Sequence, residues 1–148
     1  MQGWRVGFAA GHAPALQRMA QLKSNTDYGV FMAIQRAALA TLAGGDDYCR
    51  EVSAIYRSRR DAFLAALAPL GYPVEPPRAT IYVWLPIPRH YASSMEFTRD
   101  LLDRTGVVVA PGAGFGDAGE GYVRVALCDG EARLAEAAAR MAAAGLAY

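Results

Sequence analysis

Apolar and polar positions change rhythm twice along this chain. Residues 4–10, "WRVGFAA", form a short apolar run with one arginine inside it, which predicts a buried strand ending at Gly11. His12-Ala13-Pro14 then opens a helix through "ALQRMAQLK", because proline is tolerated in a first turn whose N–H groups lack partners anyway. "SNTDYG" breaks that helix with turn formers, and "VFMAIQRAALATL" predicts a second helix closed by Gly44-Gly45. Asp46 or Asp47 is placed to cap a third and longer helix reaching Leu70 before Gly71. Along it Val52, Ile55, Tyr56, Phe63, Leu67 and Leu70 keep to one side.

Beyond Gly71 the pattern turns β-rich. "TIYVWLP" is a β-branched and aromatic strand between prolines, in which Tyr82 and Trp84 read as core residues. Ser93 with Glu96 makes a capping box for the helix "MEFTRDLLDRT". "GVVVAP" predicts a strand, "GAGFGDAGEG" a glycine loop, and "YVRVALC" another strand. Asp129 is placed to cap a closing alanine-rich helix. The first half is thus helix-rich with one strand, which cannot make a sheet alone, and the second half is α/β. A boundary falls within or near the long helix.

Composition narrows the classes. A chain of 148 residues, 53% hydrophobic and 20% charged, reads as one domain's worth of globular protein. The net charge of +1, with no long basic run, gives no nucleic-acid surface. No apolar run approaches the ~20 residues that span a bilayer, and the N-terminus is a poor signal peptide. Two cysteines, Cys49 and Cys128, argue against a disulfide framework and fit a reducing compartment, so cytoplasm is the default.

Several catalytic motifs fail on context. "GFGDAG" matches G-x-G-x-x-G, but a strand follows the glycines where a dinucleotide site needs a helix. His12, His90, Cys49 and Cys128 are too dispersed for a metal motif, and no G-x-S-x-G elbow exists for a hydrolase. Two arginines inside apolar strands remain. Arg5 and Arg124 must each be paired or keep the charge in water, since an unpaired buried guanidinium is too costly. Each fits a solvent-facing strand position or a carboxylate partner; each also fits anion recognition, because a guanidinium fork matches phosphate or carboxylate oxygens bidentately.

At those residues the sequence resembles a known family. "GWRVGFAAG", "LKSNTDYGVFMAIQRAALATL", "IYRSRRDAFLAALAPLGYPVEPPRATIYVWLPIP" and "VVVAPGAGFGDAGEGYVRVAL", in that order, resemble the C-terminal portion of fold-type-I, class I/II aminotransferases dependent on pyridoxal 5'-phosphate. Among these it looks nearest to members acting on alanine and glutamate or on LL-diaminopimelate. The resemblance implies an α/β fold in two parts: residues 1–45 as a remnant of the large cofactor-binding domain, and residues 46–148 as a long connecting helix with the small C-terminal domain. It implies that Arg5 pairs with the cofactor phosphate and that Arg124 grips the amino acid's α-carboxylate. Asn25, in the turn Ser24 to Tyr28, would contact substrate at the partner subunit's site in a homodimer; a plain helix-terminating turn accounts for it equally well. The substrates implied are an amino acid and a 2-oxo acid.

The family's Schiff-base lysine would fall ahead of Met1, as would the acidic and aromatic residues that hold the pyridine ring. Lys23, the one lysine among fourteen arginines, lies in a different block, near a helix C-terminus where a cation is favourable. No transamination is therefore expected of these 148 residues alone. Three other readings share the resemblance: the effector domain of an aminotransferase-like transcription regulator, a non-catalytic interaction module, and a fold-type-I lyase.

Overall fold

A computed structural model describes residues 3–148. The chain divides into two compact units, Met1–Glu51 and Val52–Tyr148. The first holds helices α1 (Ala13–Ser24) and α2 (Met32–Gly44), and the division falls inside α3 (Asp46–Leu67). In the second unit follow β1 (Tyr82–Pro86), α4 (Ser94–Thr105), β2 (Ala110–Pro111), β3 (Tyr122–Ala126) and α5 (Glu131–Ala143).

The strand predicted over residues 4–10 does not form. These residues are irregular, and none of residues 3–51 is buried. A strand exists only through its ladder, and no described residue supplies a partner for this one. Among the described residues three non-glycine positions have positive φ, and two of them lie here, Arg5 (52°) and Tyr28 (55°); the third is Thr80 (79°). α1 has Pro14 in its first turn and ends at the Ser24–Asp27 turn, where Lys23 pairs with Asp27 at 2.6 Å. Trp4, Phe8, Phe31, Met32, Leu39 and Leu42 are all exposed.

The second unit is a two-layer α/β arrangement. The sheet has the order β1-β3-β2 and is antiparallel throughout, with Val83 opposite Val125, Leu85 opposite Val123, and Trp84 opposite Arg124. Period-two alternation sends Val83, Leu85, Val123 and Val125 to one face. There they form a single core with Phe63 and Leu67 of α3, Phe97 and Leu101 of α4, and Leu134, Ala138 and Met141 of α5. The apolar stripe of α3 is buried only toward its C-terminal end: Ile55 is exposed and Tyr56 half-buried. A 3₁₀ turn over Ala68–Leu70 continues the helix to Gly71, whose φ of 77° suits a residue without a Cβ.

Ser93 caps α4 as expected, its Oγ accepting from the Glu96 N–H at 3.2 Å. The reciprocal arm differs, with Glu96 Oε2 accepting from the N–H of Ala92. Asp129 does not cap α5. The cap is Gly130, in extended backbone, and Asp129 sits one residue too early, pairing instead with Arg133 at 3.6 Å. Of the predicted strand "GVVVAP", only Ala110–Pro111 joins the ladder. Tyr82 and Trp84 are not core residues either. The pleat that buries Val83 and Leu85 turns them to the opposite face, where Trp84 is exposed.

Candidate functional site

That outer sheet face is where Arg124 sits. In the register Trp84 lies opposite it on β1 and Ala110 opposite it on β2, so β3 presents the arginine from the middle strand. A central position fixes the Cα from both sides by ladder bonds. The side chain then meets aromatic rings: its guanidinium carbon lies 4.1 Å from the ring centroid of Tyr82 and 4.1 Å from that of Phe115. Trp84 closes the group, edge-on to Phe115 at 5.5 Å and to Tyr122 at 6.4 Å.

Guanidinium stacks on aromatic faces because it is planar and weakly hydrated; such contacts contribute roughly 0.5–1 kcal/mol each where water still reaches them. Stacking engages the π-faces and leaves the N–H edge. Among the described residues the Arg124 side chain makes no ion pair and no hydrogen bond. Among those residues, a carboxylate partner is therefore not what keeps a cation in this strand. The result is a half-buried, ring-stacked guanidinium whose donors have no partner among the described residues. Beside it Trp84, Phe115, Ala118, Gly119 and Tyr122 line a shallow hollow of about 320 Å³.

Phe115 reaches this face from the segment between β2 and β3. The glycine loop read from the sequence is built of two 3₁₀ turns, Gly112–Phe115 and Asp117–Gly119, and leads directly into a strand. The two turns approach so closely that a Cβ on Gly112 would lie 1.9 Å from the Gly119 carbonyl oxygen. Only glycine permits that approach. Glu120 ends the loop and bonds to α4: its Oε1 accepts from the Ser94 N–H at 2.6 Å, and Ser94 Oγ donates to Oε2 at 3.2 Å. The N–H of Gly121, which also donates to Glu120, and that of Ser94 hold the carboxyl below its usual range.

Arg5 and Asn25 belong to the first unit. Arg5 is exposed, has left-handed backbone at φ 52°, and makes no ion pair among the described residues. Such backbone is uncommon for a residue with a Cβ. Its free fork fits a phosphate in chemistry. Asn25 is the C-cap of α1, its Nδ2 donating to the Gln21 carbonyl at 2.8 Å. That bond occupies the amide in ending a helix. Lys23 is tied to Asp27, whose carboxyl is held low first by the Lys23 hydrogen bond and next by the N–H of Gly29.

Sequence reasoning singled out Arg124 but missed its surroundings. Tyr82, Trp84 and Phe115 carry no motif. For Tyr82 and Trp84 a signal was available in the alternation of "YVWLP": once Val83 and Leu85 are placed inside, Tyr82 and Trp84 must share the face of whatever lies opposite Trp84; Phe115, in the glycine loop, left none.

A three-stranded antiparallel sheet backed by helices, with a stacked arginine on its open face, defines an α/β unit built to present a cation. Comparison with known proteins makes this specific. The family model for aminotransferase class I and II matches residues 1–141, and the chain belongs to that family. LL-diaminopimelate aminotransferase 2 of Nostoc sp. is 51% identical over all 148 residues, which correspond to 38% of its own length. The LL-diaminopimelate aminotransferase of Gloeobacter violaceus is 45% identical over the same span and share. Among solved structures, an aminotransferase from Staphylococcus aureus matches with a TM-score of 0.90 and 38% identity, covering all of this chain and 39% of that one. The chain thus spans less than two fifths of the length of these relatives. The family's cofactor is pyridoxal phosphate. No helix among the described residues is long and apolar enough to cross a membrane.

Proposed function

We propose that these residues serve a pyridoxal-phosphate-dependent aminotransferase, with Arg124 as the group that grips the substrate's α-carboxylate. The observation that carries this reading is the unpaired, ring-stacked guanidinium on the middle strand. A carboxylate seated on that fork is held by two parallel charge-assisted bonds, which fix the plane of the amino acid as well as its position. Orientation is the contribution: the amino group and Cα are presented at one angle, and no proton passes through arginine.

Arg5 is the proposed partner of the cofactor phosphate, matching a forked cation to a dianion. Pyridoxal phosphate, when bound, supplies the electron sink that lets the Cα–H bond ionise. Asn25 is the third proposed contact, through its Oδ1, since its Nδ2 is engaged with Gln21. Residues 1–45 are proposed as a remnant of the large cofactor-binding domain and residues 46–148 as the connecting helix and small domain. The substrates are an amino acid and a 2-oxo acid. The name of the Nostoc relative, 51% identical, makes LL-diaminopimelate the first amino donor to test. The exposed apolar side chains of the first unit support a homodimer or the remainder of the protein as their cover. The composition and the two unpaired cysteines support a cytoplasmic location.

The test uses a chimera in which these 148 residues replace the matching segment of the Nostoc enzyme. Arg124→Ala should lower kcat/KM for the amino donor about 10- to 100-fold, the range expected for losing a hydrogen-bonded charge contact. An unchanged kcat/KM overturns the role.

A further inference from the structure

We infer that Ser94 and Glu120 form a clasp that positions Phe115 and, through it, the guanidinium of Arg124. They are positioning residues, and their importance for catalysis rests on the carboxylate reading above. The segment between β2 and β3 leaves the sheet at Gly112 and returns at Gly121, and its two ends are fastened at one point. Ser94 Oγ, fully buried, accepts from the N–H of Ala113 at 3.2 Å near the start of the segment. The same hydroxyl donates to Glu120 Oε2 at 3.2 Å near its end. Glu120 Oε1 adds the Ser94 N–H at 2.6 Å and the Gly121 N–H at 2.8 Å. The Gly112–Gly119 backbone contact closes the neck beneath.

Phe115 stands outside that neck and is half-exposed, so core packing does not fix its ring. The ring contacts that orient it are Arg124 at 4.1 Å and Trp84 at 5.5 Å. A loop pinned at both ends onto one serine keeps this ring against the cation, where an untied glycine segment would sample many positions. A carboxylate at Glu120 suits the task twice, since it accepts from three donors at once and lies at the N-terminus of α4, where negative charge is favoured. A simple helix cap would need neither the Ala113 bond nor the link to a second element. The clasp therefore couples the start of α4 to the side chain on β3.

Proton NMR of the 148-residue chain reads the coupling directly, because two rings this close displace the Arg124 Nε–H and Cδ protons from their random-coil shifts. Phe115→Leu gives the reference for losing one ring. Glu120→Ala should move the Arg124 protons toward that reference, whereas Glu120→Gln, which keeps an acceptor for the Ser94 N–H, should hold them near the parent values. Dispersed amide signals from Val83 and Val125 check that the core is intact. Should the alanine variant fail that check, Glu120→Asp, which keeps the charge but is one methylene too short, replaces it with the same expectation. Parent shifts for the Arg124 protons in the folded alanine or aspartate variant overturn the clasp. Titration with acetate separates the two claims. Acetate should move the Arg124 Nε–H in the parent chain. If it does not, the carboxylate reading fails, while the variant result still decides the clasp.

Discussion

An arginine in the middle of an apolar strand has few stable arrangements. Arg124 keeps its charge by stacking on Tyr82 and Phe115, and its N–H donors have no partner among the described residues, which is what the proposed carboxylate contact would use. The strand context made Arg124 conspicuous in the sequence. Of its aromatic neighbours, Tyr82 and Trp84 could be assigned to one strand face from the alternation of "YVWLP". Their pairing with Arg124 depends on strand register and the approach of Phe115 on the path of a glycine loop, neither of which is local to the sequence. Arg5 presents the reverse case: its place in the strand-like run was readable, yet the run forms no ladder and the residue adopts left-handed backbone instead. In the chimera, Arg5→Ala is expected to release pyridoxal phosphate on dialysis under conditions where the parent retains it. Equal retention in the two proteins contradicts the phosphate role.

At the scale of elements, local chemistry predicted well wherever it was self-contained. The Ser93 cap and the strands β1 and β3 depend on neighbours a few residues away, and all three formed where the sequence placed them, although the pleat of β1 turned Tyr82 and Trp84 out of the core in which the sequence had put them. Asp129 missed because a one-residue shift in the start of α5 removes a cap, a difference that propensity does not resolve. Two tyrosines fasten elements of the second unit. Tyr72 donates to the Leu146 carbonyl at 2.9 Å, and burial pushes its hydroxyl well above the ordinary tyrosine value. Tyr91 donates to Asp100 at 2.5 Å and is pushed up to about 12, first by burial and then by that carboxylate. Asp100 in turn is lowered, first by Tyr91 and then by Arg104. A tyrosine raised in the folded state favours the neutral form, so its stabilisation is complete below the unfolded value of about 10 and is lost as pH rises toward the folded one. The urea midpoint should therefore hold steady to about pH 9 and fall between about 10 and 12. Tyr72→Phe should make that fall shallower. A midpoint that does not change across the alkaline range contradicts the assignment.

The two units differ as whole bodies. The second has a closed core of sixteen buried hydrophobic residues, from Phe63 to Leu146, and every chemical feature of the Arg124 site stands on it. The first buries nothing among its described residues and exposes tryptophan, phenylalanine and leucine side chains. The sequence forecast this asymmetry in one respect, since a lone strand cannot make a sheet. None of the described residues of the first unit buries these side chains, and the chain spans under two fifths of the length of each of these relatives. Arg124 serves the proposed function only if its guanidinium recognises a carboxylate. In the chimera, kcat/KM for an amino acid is divided by kcat/KM for the corresponding amine lacking the α-carboxylate, with Arg124 present and with Arg124→Ala. The parent is expected to prefer the acid strongly, and that preference is expected to collapse in the variant while turnover of the amine barely changes. A preference of equal size in both proteins would rule out Arg124 as the carboxylate contact.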